Sequence, residues 1–159
     1  MAANIRFLNP ETLTKPPGYT QVVEANGPGR TVYLAGQLGL DLDNKLVGAP
    51  GDFGAQCTQA FENLRLALAA VGADFKDVVR VNNYLTDISH IATLREVRGK
   101  YLDPARLPAS TTIAISSLAR PGALFEIDAI AVLPARAAVK SARPRSAKRK
   151  VKRAKRTRR

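Results

Sequence analysis

The chain has no tryptophan, one cysteine, one methionine and one histidine in 159 residues. A single thiol, Cys57, excludes any internal disulfide and fits a reducing compartment, so a cytoplasmic location is expected. One Cys and one His are too few for a metal-ligand cluster, and neither metal nor cofactor is expected. The lone histidine, His90, stands at the start of a helical stretch as a surface or capping residue. It leaves a Ser-His-Asp arrangement little support, despite the hydroxyls of Ser110, Thr111, Thr112, Ser116 and Ser117. Long apolar runs are missing too. The best, "LALAAVGA" at 66–73, stops far short of the ~20 residues of a membrane helix. The opening "MAANIRFLNP" lacks the basic-then-apolar layout of a secretory leader.

One further absence is local. Residues 136–159 contain thirteen Lys and Arg and no Asp or Glu. The rest of the chain therefore holds 12 of the 25 basic residues against all 13 acidic ones, so the net charge of +12 belongs to the tail. The body is nearly neutral. Apart from Val139 and Val151 the tail has no large apolar side chain, so it cannot offset the entropy of ordering and is expected to be disordered. Its densest part, Lys148, Arg149, Lys150, Lys152, Arg153, Lys155, Arg156, Arg158 and Arg159, suits salt-sensitive contact with nucleic acid or another polyanion. An anionic membrane surface, a nuclear import signal or a solubility tail are the rival readings; nucleoid or nuclear association would follow from some of them. Two parts result: a domain over 1–135, long enough for one core, and a basic extension over 136–159.

Two stretches of the body read as helices. In "GDFGAQCTQAFENLRLALAAVGA" the residues Phe53, Cys57, Ala60, Phe61, Leu64, Leu68 and Val71 share one face, with Asp52 as cap and Gly72 as stop. The second, "DISHIATLREVRGKYLDP", carries Ile88, Ile91, Leu94 and Tyr101 between a cap at Asp87 or Ser89 and the stop at Pro104. Alternating segments supply about six strands. "TQVVEA" and "RTVYLAGQ" flank "NGPG" in the manner of a hairpin. "DVVRVNNYLTD" sets Val79, Val81 and Leu85 opposite Arg80, Asn82 and Tyr84, and "STTIAISSL" sets Ile113 and Ile115 opposite Ser110, Thr112 and Ser116. "LFEIDAIAVL" sets Phe125 and Ile127 opposite Glu126 and Asp128, and "IRFLN" begins the chain. The order β-β-β-α-β-α-β-β predicts an α+β domain: one sheet whose apolar face is covered by two helices. Its polar face holds Tyr33 and Tyr84 and is either wet or turned against another subunit.

Few residues of the body advertise chemistry. Glu126 and Asp128, at i and i+2 of one strand, could divide acid and base roles, or be an ordinary polar strand face. Cys57 lies in the apolar stripe of the first helix and reads as packing. "DLDNK" at 41–45 and "GPG" read as turns, since the first lacks the remainder of a calcium loop and no helix follows the second.

Taken in order, "PGYTQVV", "TVYLAGQLGLD", "GDFGAQCTQAFENLRLALAAVGADFKDVVRVNNYLTD", "LREVRGKYL" and "PASTTIAISSLARPGALFEIDAIAV" resemble the RidA (YjgF) family of reactive intermediate deaminases, over residues 4–134. The resemblance implies a chorismate-mutase-like fold: a six-stranded mixed sheet with two helices on one face, trimerising around an inner barrel. Small-molecule sites would lie in clefts between subunits. It implies cofactor-free hydrolysis of enamines and imines to 2-oxo acids and ammonia, with ribonuclease or translation-inhibiting activity as a weaker possibility. A trimer that only binds small molecules, and whose tails grip a polyanion, is the alternative.

By position, the resemblance makes Glu126 the carboxylate that orients water, and Tyr19, Gly36, Ser110 and Thr112 the pocket lining. It also marks a departure. The arginine that clamps the substrate carboxylate in the family's "P-A-R-S" motif is here Ser110, within Pro108-Ala109-Ser110-Thr111. This chain therefore resembles a branch without the clamp. A charge-assisted pair of that kind contributes about 1.5–3 kcal/mol. Arg95, where the family has a pocket asparagine, is the candidate replacement and Arg120 a weaker one; the alternative for both is a solvated surface arginine.

Overall fold

A computed structural model of the chain describes residues 4–135. All six strands and both helices are present: β1 Asn4–Leu8, β2 Val22–Asn26, β3 Gly29–Leu38, α1 Phe53–Ala70, β4 Val78–Leu85, α2 Ile91–Arg98, β5 Ala109–Ala114 and β6 Phe125–Pro134. The α+β organisation, with two helices over one face of a mixed sheet, is the expected one. The basic residues assigned to polyanion contact, Lys148 to Arg159, lie outside the described residues.

The strands are divided differently from expectation. β3, β6, β4 and β5 form a four-stranded sheet in that order, while β1 and β2 pair only with each other. No ladder joins β2 to β3, so "NGPG" is a sharp turn rather than a hairpin loop. Pro28 removes an amide N–H where a two-residue hairpin would want one, and Gly27 takes φ 92°, so the chain swings out of register into the next sheet.

β6 lies at the centre and explains the layering. Its alternate residues Phe125, Ile127, Ala129, Ala131 and Leu133 are buried, against only partial burial of Glu126, Asp128 and Ile130. The buried row packs under α1, which supplies Phe53, Cys57, Ala60, Phe61, Leu64 and Leu68. Each fully buried Phe or Leu of this set contributes about 1.5–3 kcal/mol of transfer free energy. Asp52 caps α1 by accepting the Ala55 amide at 2.9 Å, and Gly72, at φ 75°, follows its end. Asp87 caps the turn before α2 by accepting the Ser89 amide at 2.8 Å.

Cys57 is fully buried, and burial pushes its thiol up to about 12, so it is packing, as expected. His90 is not a side-chain cap: its ring stacks on Phe53 with centroids 4.4 Å apart. "DLDNK" is a turn, with Asp41 Oδ1 accepting the amides of Asp43 and Lys45.

The faces of β5 are the reverse of those predicted. Asn83 pairs with Thr112 and Tyr84 with Ile113, so Ser110 and Thr112 look toward the helices while Ile113 points outward, 43% exposed. β5 is an edge strand beyond the reach of α1. Its helix-side row borders a hollow under α2 instead of the core, so hydroxyls are tolerated there.

Candidate functional site

Four of the residues singled out in the sequence meet in one cavity. Tyr19, Arg95, Ser110 and Thr112 line a hollow of ≈ 290 Å³, together with Pro17, Gly18, Ile91, Leu94 and Arg98. The segment around Tyr19 is held there by Thr20, whose hydroxyl donates to the Leu107 carbonyl and whose amide donates to the Pro108 carbonyl at 3.2 Å. The crossover from β4 through α2 to the parallel strand β5 forms the roof and one wall.

Asn83 sets the chemistry of the floor. It is 1% exposed, and its Nδ2 donates toward Ser110 Oγ at 3.2 Å, Thr112 Oγ1 at 3.2 Å and the Thr111 carbonyl at 3.3 Å. A carbonyl can only accept, which places the amide nitrogen, not the oxygen, on this side. Its two hydrogens are shared among these three acceptors, and a hydroxyl that accepts from Asn83 keeps its own hydrogen for another partner.

The walls carry positive charge. Arg95 is exposed and Arg98, one turn on, is half-buried; neither has a carboxylate within 4.0 Å among the described residues. Burial, with the charge of Arg95 beside it, lowers the Arg98 pKa from its ordinary value. No Asp or Glu lines the cavity. Arg98 escaped the sequence reading; its i+3 spacing from Arg95 in "LREVR" was the available signal. Arg120 is elsewhere, donating to the Asn44 carbonyl at 2.7 Å.

Glu126 and Gly36 do not join these four within one chain. Glu126 pairs across β4 with Tyr84, whereas Ser110 and Thr112 share a face with Val81 and Asn83. Alternation therefore puts the carboxylate on the far side of the sheet from the hydroxyls. There Gly36 is indispensable to its placement: a Cβ on Gly36 would stand 1.8 Å from Glu126 Oε1. The carboxylate makes no hydrogen bond or ion pair with another described residue. Its neighbour Asp128 is engaged, accepting from Asn82 Nδ2 at 2.8 Å and from the Tyr84 hydroxyl at 2.9 Å. The bond to Asp128 raises the Tyr84 pKa and keeps that hydroxyl a donor. Of the two carboxylates only Glu126 is free for other work.

Known proteins share this arrangement of strands and helices. The family model described as Endoribonuclease L-PSP matches residues 12–133. Protein DfrA of Myxococcus xanthus is 42% identical over 114 residues, 72% of this chain and 84% of that protein. The 2-iminobutanoate/2-iminopropanoate deaminase of Mus musculus is 36% identical over 114 residues, 72% of this chain and 80% of the deaminase. The crystal structure of YyfB from Yersinia pestis, a conserved Rid-family protein of unknown function, superposes with a TM-score of 0.73 at 35% identity, covering 80% of this chain and 98% of that one. No helix among the described residues is long and apolar enough to cross a membrane. In its ordered motifs, its topology and its relatives, the chain belongs to the Rid (RidA/YjgF) family.

Proposed function

We propose that the protein hydrolyses reactive imines and enamines of amino acids to 2-oxo acids and ammonia, as a homotrimer whose sites form between copies. The observation that carries the reading is the split of the site. A free carboxylate, Glu126, stands on one face of the sheet, and a cationic, hydroxyl-lined hollow opens on the other. A neighbouring copy can set one against the other. The relatives named as imine deaminases support the same reading.

Each group then has a task. Arg95 binds the substrate carboxylate, doing the work of the arginine that Ser110 replaces. Ser110, Thr112 and Tyr19 line the bound acid, and Gly36 leaves room for Glu126. Glu126 accepts a proton from water as the water oxygen bonds to the imine carbon and the C=N π pair moves to nitrogen. Glu126 gives that proton to the nitrogen, completing the neutral carbinolamine. It then takes the carbinolamine hydroxyl proton and passes it to the nitrogen as the C=O bond forms and the C–N bond breaks, so that ammonia leaves. Atoms and charge balance with water as the only co-reactant, and neither metal nor redox cofactor is called for. Holding an electrophilic carbon beside one oriented water is the main contribution.

The test is to generate 2-iminopropanoate from alanine with an amino-acid oxidase and trap the survivor with semicarbazide. Sub-stoichiometric protein is expected to cut the trapped imine several-fold, and Arg95→Ala to lose most of that effect. Trapping at the buffer rate would end the reading. An endoribonuclease role has less support here, because the chain's one histidine is stacked on Phe53.

The charge of residues 136–159 favours one additional property. Three tails on one trimer would bind nucleic acid cooperatively through weak contacts. A mobility shift is expected at low salt, lost by about 0.3 M salt or on removal of residues 136–159. Binding that survives the truncation would put the anion site on the body.

A further inference from the structure

We infer that the hollow under α2 is a two-arginine site that selects dicarboxylates, with Arg98 binding the second carboxylate. Resting on the hydrolysis reading above, this makes the preferred substrates the imines of acidic amino acids.

Arg95 and Arg98 both line the hollow. Three residues apart on a helix, their Cβ atoms are about 5–6 Å from each other. Long side chains from such a pair can reach the two ends of a four- or five-carbon diacid. A monocarboxylate occupies only one of them. The other guanidinium would then face an alkyl group in a confined space, which disfavours such a ligand.

Arg98 is also placed at a cost that a surface arginine would avoid. It is half-buried at the C-terminal end of α2, beside a like charge, and the three ion pairs among the described residues all lie elsewhere. Desolvation lowers its pKa, which an anion beside it would reverse. Its Nη2 rests against Gly18, where a Cβ would come within 2.6 Å. The N-terminal segment thus closes over the guanidinium without displacing it. With no acid in the lining, and with the Ser110 and Thr112 hydroxyls beside the two guanidinium groups, the hollow joins hydrogen-bond donors to positive charge.

The discriminating experiment is calorimetric binding of two unreactive probes, succinate and butanoate, to the full-length protein at about 0.15 M salt. Succinate is expected to bind about 10–100-fold more tightly, the yield of one additional charge-assisted pair. Arg98→Met should bring that ratio close to one, and Arg98→Lys, which keeps the charge, should retain part of it. Thermal melting of both variants confirms that they are folded; if Arg98→Met is not, Arg98→Gln takes its place. Equal affinities, a preference untouched by Arg98→Met or Arg98→Gln, or no binding of either acid would each overturn the inference. A parallel activity arm uses 2-iminosuccinate, made by an aspartate oxidase, beside 2-iminopropanoate. Arg98-dependent succinate selectivity without hydrolysis of either imine would end the deaminase reading and leave the dicarboxylate site standing. Hydrolysis of both imines at equal kcat/KM would do the opposite.

Discussion

Glu126→Gln is expected to lower kcat for imine hydrolysis by about 10²–10³-fold while leaving KM within a few-fold of the parent value. Glutamine has the same shape, so the fit against Gly36 and the pairing of β6 with β3 and β4 are kept. What it lacks is the ability to take a proton from water. Asp128 cannot substitute, because both of its oxygens already accept hydrogen bonds, from Asn82 and Tyr84. The oxidase-coupled trapping assay gives kcat and KM directly, and a melting curve shows that the fold is unaffected. An unchanged kcat would remove Glu126 from the chemistry.

Gly39→Ala is expected to cost about 3 kcal/mol of stability, at the upper end for overpacking a close-fitted site. That is roughly a 10 °C fall in Tm for a domain of this size. Gly39 is buried where the chain leaves β3, and a Cβ there would lie 2.5 Å from both Cα and O of Gln56. These are main-chain atoms of α1 and cannot rotate aside. Nor can the helix slide away freely. The Gln56 side chain donates to the Gly122 carbonyl at 3.1 Å and accepts from the Leu124 amide at 2.9 Å, tying α1 to the loop before β6. Gly36→Ala is the instructive contrast. Its obstacle is the end of the flexible Glu126 side chain, so Tm should hardly move while activity falls.

The sequence made some parts of this molecule legible and hid others for physical reasons. Helix α1 could be read almost residue by residue, because seven apolar positions at helical spacing sit between a capping aspartate and a glycine. β6 was equally plain, since a central strand buries every second side chain. β5 was misread because an edge strand need not put its apolar residues inward: Ile113 points out, and Ser110 and Thr112 point in. Local alternation cannot reveal which side the helices will cover.

The site was half legible for a related reason. The resemblance named Tyr19, Gly36, Arg95, Ser110, Thr112 and Glu126 as one set, and four of them do share a cavity. That Gly36 and Glu126 belong to the opposite face follows from strand register, which no motif encodes. Arg98 and Asn83 were missed because their importance lies in what they touch. One is a desolvated cation beside another cation, and the other a buried amide in contact with two hydroxyls.

Mixing two inactive variants tests the central claim most directly. Glu126→Gln spoils one face and Arg95→Ala the other. Co-refolded or co-expressed in equal amounts, random trimers would contain an intact pair of faces at about a quarter of their sites. Activity near a quarter of the parent level, from a particle with the mass of three chains, is the predicted result. A mixture as inactive as its components, or a particle with the mass of one chain, would contradict the account.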